Sequence, residues 1–239
     1  MTKTETLVLL PGLMCDVDVW SPLYPHLPFG LATLVIDYGA ASRITAMAQQ
    51  VLERAPARFA LAGHSMGGRV AMEVVRMAPE RVLRVALLDT GHLARPAGTA
   101  GNQEAAKRYA LLQVAQTQGV AAMAHAWVQG MVHPDRLHDA ALIDAIVTMF
   151  ARKSADAFAA QIEALLHRPD ASEVLRKIAV PTLFLCGAQD VWSSPEQHQQ
   201  MCNLVPGAVL DVVDNAGHMA PMERPEAVAQ CFTRWLRRC

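Results

Sequence analysis

Ser65 lies in the segment GHSMGG (63–68), which contains the pattern G-x-S-x-G. Small residues at positions 63 and 67 permit a sharp turn in which the serine backbone is strained. An apolar run precedes the segment and helical periodicity follows it, so Ser65 is expected at a strand-to-helix turn. The helix N-terminus there favours a developing anion. The segment therefore predicts a nucleophilic serine, with His64 structural and its side chain directed away from Ser65.

A serine hydroxyl becomes an effective nucleophile only when a positioned base removes its proton. Among the nine histidines, His218 follows the last apolar run, in NAGHM (215–219). Loops at the carboxyl ends of parallel strands are where such chemistry collects. Asp190, in GAQD (187–190) after the fifth run, is the predicted carboxylate that orients His218. Asp89, at the end of the fourth run, is the alternative acid.

The tetrahedral intermediate of acyl transfer requires two preorganised N–H donors. The backbone N–H of Met66, directly after the serine, is one predicted donor. The loop after the first apolar run, Pro11-Gly12-Leu13, provides the second, and Leu13 N–H is favoured. Gly12 allows the backbone to approach closely, and Met14 N–H is the alternative. These residues equally describe a simple turn.

The elements that must position these groups are read from hydrophobic periodicity. Continuous apolar runs bounded by turn residues predict six strands buried on both faces. Helical patterns lie between most of them, and two of these begin with proline, which suits the first helical turn. The alternation predicts an α/β fold with a mostly parallel sheet of about six strands flanked by helices. The predicted strands are 7–10, 31–37, 58–62, 82–89, 180–186 and 209–213, and the predicted helices are 44–54, 68–77, 195–204 and 225–237.

The stretch from about 91 to 177 interrupts the alternation, because it contains no convincing strand. Its periodicity predicts helices at about 102–117, 119–130, 139–151 and 154–167. We therefore divide the chain into a core domain, residues 1–90 and 178–239, and a helical cap inserted at residues 91–177.

Composition bounds the function class. Of the 239 residues, 52% are apolar and 18% charged, and the formal net charge is −1, so nothing suggests nucleic acid or an anionic membrane as partner. The five cysteines are odd in number and contain no CxxC pair, which favours free thiols in a reducing compartment and no metal site. With no apolar run near the roughly 20 residues that span a bilayer, we expect a soluble cytoplasmic protein. A homodimer is compatible with the sequence.

Several side chains are candidates for the substrate pocket. Trp192 and Met219 flank the predicted acid and base, and each is equally suited to core packing. Trp127 belongs to a helical stripe with Met123 and Met131, for which packing is the favoured interpretation. The arginines of the predicted cap and its borders are expected on solvated helix faces, although a carboxylate of the substrate would suit them; they are Arg95, Arg108, Arg136 and Arg152.

Taken together, these segments resemble the α/β-hydrolase superfamily, in its esterase, lactonase and carbon–carbon hydrolase branch. The resemblance covers nearly the whole chain outside the cap. It implies a Ser–His–Asp acyl-enzyme mechanism, no cofactor and a pocket between core and cap. The segments that carry it are LLPGLMCDVDVW (9–20), DYGAAS (37–42), GHSMGG (63–68), LFLCGAQD (183–190) and NAGHMAPMERPEAV (215–228).

The chain departs from this family in three places. Pro11 replaces a frequent histidine before the glycine of the oxyanion loop, and the family's DxxGxGxS turn is shortened to 37–42. The chain begins almost at its first strand, without the usual preceding hairpin, so a six-stranded parallel core is expected.

The resemblance implies hydrolysis of small to medium carboxylic esters, with a small, apolar acyl group as the simplest substrate. An enol-lactonase or a carbon–carbon hydrolase of aromatic-degradation intermediates would use the same residues and is the alternative. A ligand receptor without turnover is a more distant alternative.

Overall fold

A computed structural model describes residues 5–238. Residues 1–4 and 239 of the predicted core, including Cys239, lie outside the described residues. Each of the six predicted strands is present, displaced by a few residues at the ends. They are β1 (Thr6–Leu10), β2 (Ala32–Val35), β3 (Phe59–His64), β4 (Val82–Leu88), β5 (Thr182–Gly187) and β6 (Val209–Val213).

The strands form one six-stranded sheet in the order β2-β1-β3-β4-β5-β6, and every pair is parallel. In the register, Leu9 lies beside Val35 on one side and Ala62 on the other. All six residues of β3 and of β5 are buried, which explains their continuous apolar runs. The predicted fold class is therefore confirmed. Because all strands are parallel, their carboxyl ends lie at the same end of the sheet. Ser65 follows β3 there, and Asp190 lies shortly after β5.

Helices connect these strands and flank the sheet. Helix α1 (Ile44–Arg54) has the bounds that the sequence predicts. Helix α2 (Met66–Met77) begins two residues earlier than predicted, because the strand-to-helix turn is tighter than expected. α2 packs against α1 and β3. None of the helices in residues 5–238 is long and apolar enough to cross a membrane. Outside the segment between β4 and β5 the helices are α1 (Ile44–Arg54), α2 (Met66–Met77), α8 (Pro195–Cys202), α9 (Ala220–Glu223) and α10 (Pro225–Leu236).

Five helices and no strand occupy the described segment between β4 and β5. The first helix ends at Gln118 and the second begins at Val120. Gly119 lies between them with a φ of 91°, a non-helical conformation that glycine adopts readily. The predicted helix 119–130 is shorter than expected, since it ends at Trp127 and passes into a 3₁₀ turn at Val128–Gly130. The short α7 was not predicted. That these helices act as a separate cap, 91–177, stays a prediction. They are α3 (Gly98–Gln118), α4 (Val120–Trp127), α5 (Ala140–Ala151), α6 (Ala155–Leu166) and α7 (Ser172–Arg176).

Candidate active site

Ser65 occupies the turn between β3 and α2 with a φ of 54° and a ψ of −116°. Residues other than glycine rarely adopt these backbone angles. Such backbone strain persists only where the surrounding structure enforces it. Here Ser65 N–H donates to Leu88 O, 2.8 Å, and Ser65 O accepts from Thr90 Oγ1, 2.7 Å. The adjoining strand β4 and its following loop thus hold the serine in place.

The glycines on both sides of Ser65 are required by close backbone contacts. A Cβ on Gly63 would lie 2.2 Å from Gly67 O, and a Cβ on Gly67 would lie 2.1 Å from Leu10 O. Both distances are far below any normal contact, so the G-x-S-x-G pattern reflects the packing of the turn against the end of β1.

The structure brings Ser65, His218 and Asp190 into one hydrogen-bonded chain. Ser65 Oγ and His218 Nε2 are 2.8 Å apart, and His218 Nδ1 and Asp190 Oδ2 are also 2.8 Å apart. With the proton on Nδ1 donated to Asp190, Nε2 is free to accept from the serine hydroxyl. These three side chains were predicted from positions far apart in sequence.

Asp190 is buried, and its other oxygen accepts from the backbone N–H groups of Trp192 and Ser193, both at 2.9 Å. Burial opposes ionisation of the carboxyl, but His218 and these N–H donors outweigh it and lower the pKa of Asp190. Asp190 is therefore ionised at neutral pH, as the orienting acid of such a chain must be.

Asp89, the alternative acid, does not contact His218 by any hydrogen bond within residues 5–238. Its Oδ1 accepts from Gly187 N–H, 3.0 Å, and its Oδ2 has no hydrogen-bond partner in this part of the chain. Burial, reinforced by the charge of Asp190, holds the pKa of Asp89 well above its usual range. Burial thus disfavours the charged form of Asp89, which is the form that would stabilise an imidazolium.

His64 lies closer to the base than expected. Its ring centroid is 5.4 Å from that of His218, and its Nε2 donates to His218 O at 2.8 Å. Burial and the neighbouring His218 lower the pKa of His64 to about 3, so its ring is neutral. The ring supports the His218 main chain, which is compatible with a structural role but not with a side chain remote from the site.

The loop that carries His218 is also held from its other side. His218 N–H donates to Met131 O, 2.6 Å. The buried carboxylate of Glu223 accepts from Gly217 N–H at 2.8 Å, Met219 N–H at 3.2 Å and His133 N–H at 2.7 Å. Glu223 therefore joins this loop to the segment after α4, and the segment between β4 and β5 helps to position the base.

The loop after β1 lies directly against the nucleophile. A Cβ on Gly12 would be 3.2 Å from Ser65 Cβ and 2.8 Å from His64 Nδ1, so a larger residue would displace one of them. The hydrogen bonds of residues 5–238 include none donated by the N–H of Leu13 or of Met66. Leu13 and Met66 both line the cavity at Ser65, so their N–H groups remain the predicted oxyanion donors.

Met14 N–H, the alternative donor, is already occupied. It donates to Oε1 of Gln161 on α6 at 2.9 Å, while Gln161 Nε2 donates to Gly39 O at 2.9 Å. Met14 itself has a φ of 63°. The buried amide of Gln161 thus connects a strained residue of the oxyanion loop to α6, and Leu13 remains the better-placed donor.

We expect Gln161→Met to lower kcat/KM for ester substrates by roughly tenfold, a fraction of the 10²–10³-fold cost of losing an oxyanion donor outright. Methionine has a similar volume, but it leaves Met14 N–H and Gly39 O without partners. Steady-state kinetics of the folded variant checks this. The matched control is Gln113→Met on the surface of α3, and equal kinetics in both variants would show that Gln161 does not position the loop.

A cavity of about 460 Å³ opens beside Ser65 and His218. One wall is aromatic: the ring centroids of Trp127 and Trp192 are 5.9 Å apart in a stacked arrangement, and Trp192 lies 4.9 Å from His218. All three tentative pocket residues, Trp127, Trp192 and Met219, border the cavity. The remaining apolar wall comes from Leu111, Phe150, Phe158, Ile162 and Leu165.

Two sequence-based interpretations of the pocket require correction. Of the stripe Met123, Trp127 and Met131, interpreted as packing, only Met123 stays out of the cavity lining, because the helix ends at Trp127 and the following turn directs Met131 to the site. Arg108, expected on a solvated face, also borders the cavity, because α3 turns that face inward.

The other candidate arginines are placed differently. Arg152 pairs with Asp16 at 2.8 Å, and Arg136 pairs with Asp139 at 2.8 Å. Arg95 does not line the cavity. In residues 5–238 no group of three or more His, Cys, Asp or Glu side chains is arranged to hold a metal ion.

The sequence model described as the alpha/beta hydrolase family matches residues 7–231. A relative from Salmonella typhimurium, 2-succinyl-6-hydroxy-2,4-cyclohexadiene-1-carboxylate synthase, is 27% identical over 250 residues, covering 98% of this chain and 94% of the relative.

Solved structures show the same architecture. A thermophilic esterase from Thermogutta terrifontis superposes with a TM-score of 0.84 at 25% identity, covering 98% of this chain and 89% of that one. An enol-lactonase from Burkholderia xenovorans superposes with a TM-score of 0.83 at 22% identity, covering 99% and 92%. At this identity the second likeness concerns the fold alone.

Proposed function

Because the chain belongs to the alpha/beta hydrolase family, we propose that it hydrolyses small to medium carboxylic esters through a Ser–His–Asp acyl-enzyme mechanism. The observation that carries the proposal is the continuous chain from Asp190 through His218 to Ser65, with both contacts at 2.8 Å, beside a cavity of about 460 Å³ that Ser65 and His218 line. The proposed mechanism uses no free thiol, metal ion or cofactor.

In the first half of the reaction, Ser65 Oγ attacks the ester carbonyl carbon and His218 Nε2 takes the hydroxyl proton. The carbonyl oxygen becomes an oxyanion, which the N–H groups of Leu13 and Met66 receive. Asp190 stabilises the resulting imidazolium. The bond to the leaving oxygen then breaks, and His218 returns the proton to the departing alkoxide, which leaves an acyl-serine and a free alcohol.

In the second half, water takes the place of the alcohol. His218 Nε2 removes one proton from the water as its oxygen attacks the acyl carbon, and the same two N–H groups hold the oxyanion. Collapse breaks the bond to Ser65 Oγ, which recovers its proton from His218. The products are a carboxylic acid and the free enzyme, so atoms and protons balance without a further reactant.

The geometry is most consistent with ester cleavage. A receptor would gain nothing from the strained backbone of Ser65 or from its hydrogen-bonded chain to His218 and Asp190. A lactone is an internal ester, and its opening would use the same atoms. The sequence departure at position 11 does not affect the scheme, since Leu13 would act through its backbone.

The test is hydrolysis of a series of ethyl and p-nitrophenyl esters, from acetyl to decanoyl, beside a set of small lactones. We expect turnover of short and medium esters that disappears in a Ser65→Ala preparation. Turnover of lactones with none of esters would replace the proposal by lactone hydrolysis. Tight ligand binding without any turnover would instead favour a receptor.

A further inference from the structure

Four basic side chains border the cavity, and the part that they line is called its basic end. Arg69 borders it from α2, Lys107 and Arg108 border it from α3, and Arg168 borders it from the loop after α6. One acidic side chain that is ionised, Glu104, faces them. A small-ester hydrolase whose pocket received only apolar acyl groups would have no use for four cationic side chains at one end.

Glu104 is fully engaged by two of these cations. It accepts from Arg168 Nη1 at 2.6 Å and Nη2 at 2.9 Å, and from Arg108 Nη2 at 3.0 Å. Burial opposes its ionisation, but Arg168 and Arg108 outweigh it and lower the pKa of Glu104 to about 2. Glu104 is therefore a fixed anion that aligns two arginines, and it leaves positive charge in excess.

Arg69 carries the excess charge. Its Nη1 donates to the backbone oxygen of Leu93 at 2.9 Å, and no carboxylate within residues 5–238 pairs with it. Burial, followed by the charges of Arg168 and Arg108, lowers the pKa of Arg69 to about 9, so it stays protonated at neutral pH. The charges of Glu104 and Asp170 oppose this lowering, but neither carboxylate forms an ion pair with Arg69. A half-buried guanidinium without such a partner, near two others, is favourably placed to receive a bound anion.

The other carboxyl groups nearby form no ion pair with Arg69. Asp89 borders the same cavity, but its Oδ1 accepts from Gly187 N–H, and burial raises its pKa and so disfavours its charged form. Asp170 lies close to Arg69 but outside the cavity lining, and it accepts from Ser172 N–H at 2.8 Å. Lys107 is exposed and makes no hydrogen bond or ion pair among the described residues. Arg69 and Lys107 therefore have no carboxylate ion-pair partner in this part of the chain.

Arg69 and the nucleophile come from adjoining parts of the chain. Arg69 lies in the first turn of α2, which begins directly after Ser65, and both residues border the same cavity. A ligand that spans from Ser65 to Arg69 therefore needs only a short connecting chain.

We propose that Arg69, with Arg108 and Lys107, binds a free carboxylate of the substrate, and that the preferred substrate is a monoester of a short dicarboxylic acid. This rests on the proposed ester hydrolysis and revises the expected apolar acyl group. The planar guanidinium of Arg69 matches the two oxygens of a carboxylate. Arg108 and Arg168, aligned by Glu104, provide the surrounding positive field.

The kinetic test compares monoethyl succinate with ethyl 4-methylpentanoate, a neutral ester of nearly the same shape, by acid release. The wild type should favour the anionic ester, and Arg69→Gln should reduce that preference by about tenfold or more, as expected for a charge-assisted hydrogen bond. Lys107→Gln, at an exposed side chain that the fold does not require, should reduce it in the same direction.

The matched control is Arg58→Gln, which removes one positive charge from an exposed position. Arg58 lies directly before β3, at the amino-terminal end of the strand, whereas Ser65 follows its carboxyl end. Its preference should equal that of the wild type. A wild type that favours the neutral ester would overturn the proposal. The proposal would also be overturned if Arg69→Gln, Lys107→Gln and Arg58→Gln all kept the wild-type preference for the anionic ester.

A binding measurement separates failure of this inference from failure of ester hydrolysis. Calorimetric titration of succinate into Ser65→Ala requires no turnover, and we expect binding that Arg69→Gln, in the same background, weakens about tenfold. If no ester is hydrolysed but this binding is observed, the carboxylate site stands and the reaction must be reassigned. Absence of succinate binding, or tighter binding of inorganic phosphate, would overturn the carboxylate site.

Discussion

Ser65→Ala is expected to lower kcat for ester hydrolysis by roughly 10⁶-fold, close to the loss seen when a serine nucleophile is removed from comparable triads. The methyl group of alanine cannot form the acyl-enzyme, and His218 Nε2 loses its 2.8 Å partner. Residual rate would come only from the oxyanion donors and from binding. Steady-state kinetics with the best ester substrate measures the loss.

The control for this variant is Ser42→Ala, at an exposed serine that does not border the cavity. Its kcat should match the wild type. A Ser65→Ala enzyme with the kcat of the Ser42→Ala enzyme would mean that the reaction does not pass through this serine.

Asp190→Asn is expected to lower kcat by about 10⁴-fold with little change in the fold. The amide has nearly the shape of the carboxylate, but it cannot stabilise an imidazolium, and its NH₂ group favours the wrong tautomer of His218. Asp190 is hydrogen-bonded to His218, whereas within residues 5–238 Asp89 is not, and burial disfavours the charged form of Asp89. The two aspartates should therefore respond differently, and the kcat of Asp89→Asn should remain near the wild-type value.

These two variants form a matched pair in residue type and burial. Measuring kcat for both on the same ester decides which aspartate orients the base. A large loss in Asp89→Asn together with a small loss in Asp190→Asn would reverse the assignment made here.

The strands could be predicted from sequence because each is a continuous apolar run ended by turn residues. β5 illustrates this: LFLC (183–186) is buried on both faces and ends at Gly187. The bounds were less predictable where pairing decides them. β2 is shorter than its run because it lies at the sheet edge with one partner, whereas β3 extends to His64 because that residue pairs with Leu88.

The candidate triad could be predicted because each member has a local signal, a residue type directly after a recognisable strand. Gln161 and Glu223 lack such a signal. Gln161 contacts Met14 across 147 residues of sequence. Glu223 is one acidic residue in a helical segment, and its contacts depend on which loops pack beside that segment in the folded chain. A sequence alone does not show which loop a buried amide or carboxylate will meet.

The basic end of the cavity could not be predicted for a related reason. Arg108 has a polar helical context that fits a solvated face, and only the packing of α3 against α6 turns it inward. Arg69 belongs to an otherwise ordinary amphipathic helix. What distinguishes it is the absence of an acidic partner among the described residues, which is a property of the folded arrangement.

The central claim is that Ser65 is the nucleophile of an acyl-transfer reaction, and covalent labelling tests it most directly. The protein is treated with a serine-directed fluorophosphonate, and the adduct is located by intact and peptide mass spectrometry. The account predicts one adduct per chain, on the peptide that contains Ser65, with loss of esterase activity in proportion to labelling and no adduct in Ser65→Ala. Full esterase activity in a protein labelled at Ser65, or activity abolished by an adduct on another residue, would contradict it.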